Sequence, residues 1–182
     1  MTIVIFRTYR EAQDQLRSDL YRELHCGRLR QGWGLVAYPS MRLLDDHRHR
    51  IPQGAWEDNY RRLCHDWEDP DPSPHRYTIL TRMLELERDD IIIAPNMPDD
   101  MHFTLAHVTE GYRFEVFIQH DGNEHEDFGH IIKVKPGETH SYDESDHTRS
   151  IADGIRPYRD AVNIVRHPNR QAQIHRALRS LQ

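Results

Sequence analysis

One stretch of the chain crowds imidazoles and carboxylates together. HDGNEHEDFGH sets His120, His125 and His130 five residues apart, with Asp121, Glu124, Glu126 and Asp127 between them. Such side chains ligate zinc, iron and manganese, so a metal site is the first chemistry to consider. Neither the strand period of two nor the helical period of 3.6 brings positions i, i+5 and i+10 onto one face, so a site would need a special loop. The pairs His25-Cys26 and Cys64-His65 stand 38 residues apart, which fits no standard finger spacing. The spacing therefore reads as a polar hairpin tip with scattered histidines. A small metalloenzyme using residues 120–130 stands as the alternative function; no metal, cofactor or catalytic residue is assigned.

Hydrolytic motifs are missing. A restriction-type nuclease core needs an acidic residue followed by Glu-x-Lys, but Ile131 and Lys133 occupy the positions two before Lys133 and Lys135. There is no phosphate-binding glycine loop and no nucleophile elbow. PGETHSYD (Pro136 to Asp143) resembles part of the second metal motif of the cupins, whose first motif has only His47 and His49 as candidates, without a correctly placed Glu. The remaining chemistry-bearing stretch is RLRQGWG, Arg28 to Gly34, which places an indole between two glycines behind two arginines and a glutamine. It reads as a loop.

The elements that must position these residues follow from periodicity. TIVIFRT (Thr2 to Thr8) is a β-branched apolar run, expected as the first strand. Leu16, Leu20, Tyr21 and Leu24 recur at helical spacing ahead of Gly27, a natural helix C-cap. Trp56, Tyr60, Leu63 and Trp67 mark one face of a second helix, a spacing that points to core for both tryptophans. DPDPSP (Asp69 to Pro74) breaks the chain before a further helix in HRYTILTRMLELERDD. DDIIIAP is expected as a buried strand, HFTLAHVTEGYRFEVFI as two strands, FGHIIKVKP as another, and RQAQIHRALRSLQ as a short terminal helix. The fold class expected is α+β with a curved, mostly antiparallel sheet.

Composition bounds the partners. At 182 residues, 37% hydrophobic and 30% charged, the chain suits one polar globular domain. No segment has the roughly 18 apolar residues of a membrane span, no signal peptide is evident, and two cysteines make no disulfide framework, so a cytoplasmic protein is expected. The net charge of −6 hides a strong asymmetry. Residues 1–65 carry 11 Arg against 8 acidic groups, residues 66–148 carry 6 basic against 20 acidic, and residues 149–182 carry 7 Arg against 2 Asp. An acidic protein is poorly suited to nonspecific phosphate binding, but a local arginine face is available. The expected division is a domain over 1–148 followed by an Arg-rich helical extension over 149–182.

In order, the Arg-bearing first strand, GWG, the Trp helix, the acidic turn with IIIAP, LAHVTEGYRFE and FGHIIKVKP resemble the PUA-like module of Mrr-type modification-dependent restriction proteins, a relative of the EVE and YTH readers. The resemblance covers residues 2 to about 136; it departs at Asp89-Asp90, where the family usually has Gly-Asp, and in a longer polar stretch between the first and second strands. It implies a PUA-like, EVE-like barrel flanked by helices that reads a modified base, methylated or hydroxymethylated, in DNA, with RNA as a competing ligand. The base would be flipped into an aromatic pocket at a cost of a few kcal/mol. On this reading Trp33 supplies the stacking face, Arg28 and Arg30 grip flanking phosphates, and Gln31 meets a base edge. Trp56, Tyr112 and Arg113 complete the candidate nucleic-acid-binding set, although barrel packing suits Tyr112. The implied partners are modified DNA, a separate nuclease subunit or domain, and a second copy of the chain in a homodimer. A protein-interaction module of a defence complex is the third reading.

Overall fold

The computed structural model describes residues 1–8, 14–35, 38–65, 73–115 and 128–181. They form six strands and five α-helices: β1 (Ile3–Phe6), α1 (Asp14–His25), β2 (Arg28–Gln31), α2 (Gln53–Leu63), α3 (Pro74–Thr81), β3 (Ile91–Pro95), β4 (His102–Phe114), β5 (His130–Ser141), α4 (Asp146–Ile155), β6 (Val162–Ile164) and α5 (Pro168–Arg179). The strands make one mixed sheet in the order β2-β5-β4-β3-β1-β6, curled into a half-barrel. Every pairing is antiparallel except that of β1 with β3. No helix among the described residues is long and apolar enough to cross a membrane.

The unbroken apolar runs of β1 and β3 have a direct cause: the sheet is covered on both faces there. Val4, Phe6, Ile92 and Ala94 point into a core layer built with Leu20 and Leu24 of α1, Trp56 and Tyr60 of α2, and Tyr77 and Leu80 of α3. Their alternates Ile3, Ile5, Ile91 and Ile93 point the other way, onto Ile151 and Ile155 of α4 and Ile174 and Leu178 of α5. Asp90 locks the start of this pair. Its carboxylate accepts from the backbone N–H of Thr2 at 2.6 Å and of Glu87 at 3.0 Å, tying β1 to the turn ahead of β3.

Local chemistry sets the element ends. Gly27 closes α1 at φ +82°, a conformation glycine adopts without strain. Ser73 caps α3 by accepting from the His75 N–H, with Pro74 as the first helical residue. Ser145 and Thr148 form a reciprocal capping box on α4.

Three differences from the expected elements have clear causes. HFTLAHVTEGYRF is a single strand through Gly111, because two register shifts against β5, between Val108 and Glu110 and between Glu110 and Tyr112, absorb the irregularity. RLRQ is an edge strand rather than a loop. The division at 148/149 falls inside α4, and the segment after it is no appendage: β6 extends the sheet by pairing with β1, and α4 and α5 form the second core layer. Removing residues 149–182 should therefore expose the Ile3, Ile5, Ile91 and Ile93 face and abolish cooperative unfolding. Urea denaturation of residues 1–148 followed by circular dichroism checks this; a sharp transition close to that of the full chain would show that the first 148 residues fold alone.

Candidate functional site

The RLRQGWG segment spends its polar groups internally. Arg28 forms a two-pronged bond to Glu23 on α1, Nε to Oε2 and Nη2 to Oε1, both at 2.7 Å. Arg30 donates from Nε to the same Glu23 Oε2 at 2.7 Å and from Nη1 to the Phe128 carbonyl at 3.1 Å. Burial pushes the Glu23 carboxyl pKa up, but the two guanidiniums outweigh it and hold the group below its usual range. Arg30 is buried, as is Gln31. Arg30 thereby binds β2 to α1 and to the residue Phe128 just ahead of β5.

Trp33 completes the same turn. It sits at φ +67°, half-buried against the core, with the Arg76 guanidinium 5.7 Å from its ring centroid. Gly34 is required by what lies beneath it: a Cβ there would come within 2.5 Å of the His130 ring. His130 is fully buried at the start of β5. Tyr112 Oη accepts from the Leu43 N–H at 2.9 Å and shares a second hydrogen bond, also at 2.9 Å, with His130 Nδ1. Its Nε2 has no hydrogen-bond partner among the described residues. Burial drives the His130 pKa down to about 3, only partly opposed by the Trp33 backbone. Gly34 thus serves a tight turn over a buried histidine, which explains its place beside the indole without a ligand.

The rest of the expected set is scattered. Trp56 is completely buried, its Nε1 donating to the Met41 carbonyl at 2.9 Å, so it belongs to the core and not to a binding surface. Tyr112 is a core residue of the relay just described. Arg113 is exposed and paired with Glu110 three residues away. Trp67, His120, His125 and the acidic groups between them lie outside the described residues. His47 and His49 stand on an exposed turn around Asp45, and Thr139 and His140 of PGETHSYD continue β5. Among the described residues no group of three or more His, Cys, Asp or Glu is placed to hold a metal.

Strand direction separates this turn from a second, unexpected site. β2 and β4 run opposite to β1 and β3, so Trp33 and Phe114 lie at one end of the sheet while the carboxyl ends of β1 and β3 lie at the other. Beyond those carboxyl ends is a cleft of about 170 Å³ bordered by Arg7, Asn96, Tyr142, Ile155, Arg156 and Arg159. Arg7 and Asn96 are the residues directly after β1 and β3. No family model matches this chain, and no curated protein matches its sequence. The cleft must therefore be read from its own chemistry.

That chemistry is one of donors. Arg7 Nε is anchored on the Tyr158 carbonyl at 3.0 Å, and none of Arg7, Arg156 and Arg159 has a carboxylate partner among the described residues. Burial lowers the Arg7 pKa, and the like charge of Arg159 lowers it further. Tyr142 Oη accepts from the Asn96 N–H at 3.3 Å and donates to Asn96 Oδ1 at 3.2 Å, which leaves the Asn96 amide NH2 as its outward-facing group. Asn96 itself is held at φ +60°. Beside the cleft, Thr8 keeps a buried hydroxyl with no partner among the described residues. Sequence reading missed the cleft because Arg7, Asn96 and Arg159 are far apart in the chain; the available signal was a guanidinium immediately after the first strand.

Two outcomes are expected at the Trp33 end. Trp33→Ala should cost about 2 kcal/mol of stability through lost packing, with ligand binding unchanged, as measured by thermal unfolding beside a binding titration. In the unfolded chain His130 takes up its proton near its ordinary value of 6.5, but in the folded protein only near 3. Its contribution is then whole above about pH 6.5 and drains as the pH falls towards 3, by up to ~1.4 kcal/mol per pH unit. Urea titrations at pH 7, 5.5 and 4.5 should show a shallower loss for His130→Gln than for the wild type.

Proposed function

We propose that the protein binds nucleic acid, seating a backbone phosphate in the donor-lined cleft at the carboxyl ends of β1 and β3 and reading the base beside it. The supporting observation is the convergence of Arg7, Arg156 and Arg159, none with a carboxylate partner among the described residues, on one cleft of a protein whose net charge is −6. Guanidinium pairs with phosphate oxygens through parallel N–H bonds, and an anion here would relieve the repulsion between Arg7 and Arg159. Ligands in sheets with parallel strands favour this position, outside the strand carboxyl ends. The cleft is smaller than the ~300 Å³ and upward typical of sites that enclose a drug-sized ligand, which suits one phosphate better than a whole metabolite.

A modified base in DNA is the specific form of this reading. It places the ligand after the first strand, with Asn96 as the polar side chain nearest to specifying it, and gives the GWG turn no part in contact. The proposed interface differs in this from the one expected around Trp33.

Fluorescence anisotropy tests it with duplexes of one sequence carrying cytosine, 5-methylcytosine, 5-hydroxymethylcytosine or N6-methyladenine, alongside single strands. Arg156→Ala and Arg159→Ala alter exposed residues and should leave the melting temperature unchanged. Each should weaken binding about tenfold and reduce the salt dependence by about one phosphate contact. Preference for one modified duplex would support base reading; binding indifferent to both variants would remove the cleft from the interface.

A further inference from the structure

The descent from β3 into β4, residues 96–101, begins at Asn96 on the cleft and ends in an exposed methionine. Met101 is 55% exposed, one of three large hydrophobic residues so placed among the described residues, while Met97 in the same loop is 1% exposed. Of the other two, Met1 is the first residue and Tyr38 comes after the GWG turn at the far end of the sheet. Met101 is fastened directly to a wall of the cleft, since its carbonyl accepts from the Tyr142 N–H at 2.9 Å.

Each end of this loop is held. Asn96 is bonded both ways to the Tyr142 hydroxyl, and Asp99 Oδ1 accepts from the Met101 N–H at 2.8 Å. Arg17, buried on α1, donates to Asp100 at 2.9 Å. The two residues that precede Met101 are thereby tied down: Asp100 to Arg17, and Asp99 to His102 Nδ1 at 2.6 Å. The tip therefore presents an unbranched apolar side chain on a base braced by hydrogen bonds.

A duplex that turns out a base beside a phosphate seated in the cleft is left with a gap in its stack, and apolar side chains such as Met are used to fill or pry open such steps. A side chain does this only if its backbone resists being pushed back, which the anchored loop ensures. Resting on the nucleic-acid reading, we propose that Met101 is a wedge that enters the base stack of duplex DNA next to the nucleotide whose phosphate sits in the Arg7 cleft.

The test compares Met101→Ala and Met101→Leu with the wild type on a duplex and on the corresponding single strand, with 2-aminopurine beside the target base reporting unstacking. Met101→Ala should keep the wild-type melting temperature, lose five- to twenty-fold in duplex affinity, leave single-strand affinity unchanged and abolish the fluorescence rise; Met101→Leu should restore both duplex affinity and fluorescence. Equal affinities of Met101→Ala and wild type for the duplex, or equal losses on duplex and single strand, would overturn the wedge while leaving the nucleic-acid reading intact. Failure of the wild type to bind either DNA would overturn that reading and the wedge with it.

Discussion

The parallel pairing of β1 with β3, buried on both faces, is the constraint on which the rest of the structure depends. Ile3 to Phe6 and Ile91 to Ala94 carry no polar side chain, so a sheet with one wet face would leave half of these residues in water. Two helical layers are needed, and the chain supplies them from opposite ends: α1 to α3 come before β3, α4 and α5 after β5. The buried Asp90 carboxylate fixes where the pairing begins by satisfying two backbone N–H groups that would otherwise be costly to bury.

The same pairing creates an end with distinctive chemistry. Where β1 and β3 stop side by side, their next residues, Arg7 and Asn96, are brought together, and the helix covering the isoleucine face contributes Ile155 and Arg156. A core requirement thus places guanidiniums from the start and the end of the chain around one cleft. At the opposite end the polar groups are consumed by structure. Glu23 binds Arg28 and Arg30, and Tyr112 bridges Leu43 and His130, so side chains of types common at binding sites hold the edge strand and its turn in place.

Much of the architecture was legible in local pattern. The β-branched run at Ile3 to Phe6, the leucine spacing of α1 with Gly27 behind it, the aromatic face of α2 and the IIIAP strand all declare themselves, because each depends on period and capping within a dozen residues. α4 and β6 were not expected. β6 has only three residues and gains its strand character from pairing with β1, and the apolar positions of α4 acquire meaning only against β1, β3 and α5. RLRQ was read as a loop because buried arginine and glutamine conceal the alternation of an edge strand.

The amino-acid sequence by itself determined most of the element types, the α+β class, the mostly antiparallel sheet and the uneven distribution of arginine. Hydrophobic period, turn chemistry and charge are properties of neighbouring residues and survive without a fold. Only the tertiary structure decided which arginines are spent and which remain available. Arg28 and Arg30 look exposed in a glycine-flanked stretch, yet they meet Glu23 across the α1–β2 turn; Arg7, Arg156 and Arg159 look unrelated, yet they face one cleft. Ion pairing and burial depend on distances between residues remote in the chain, and strand direction and sheet order set those distances.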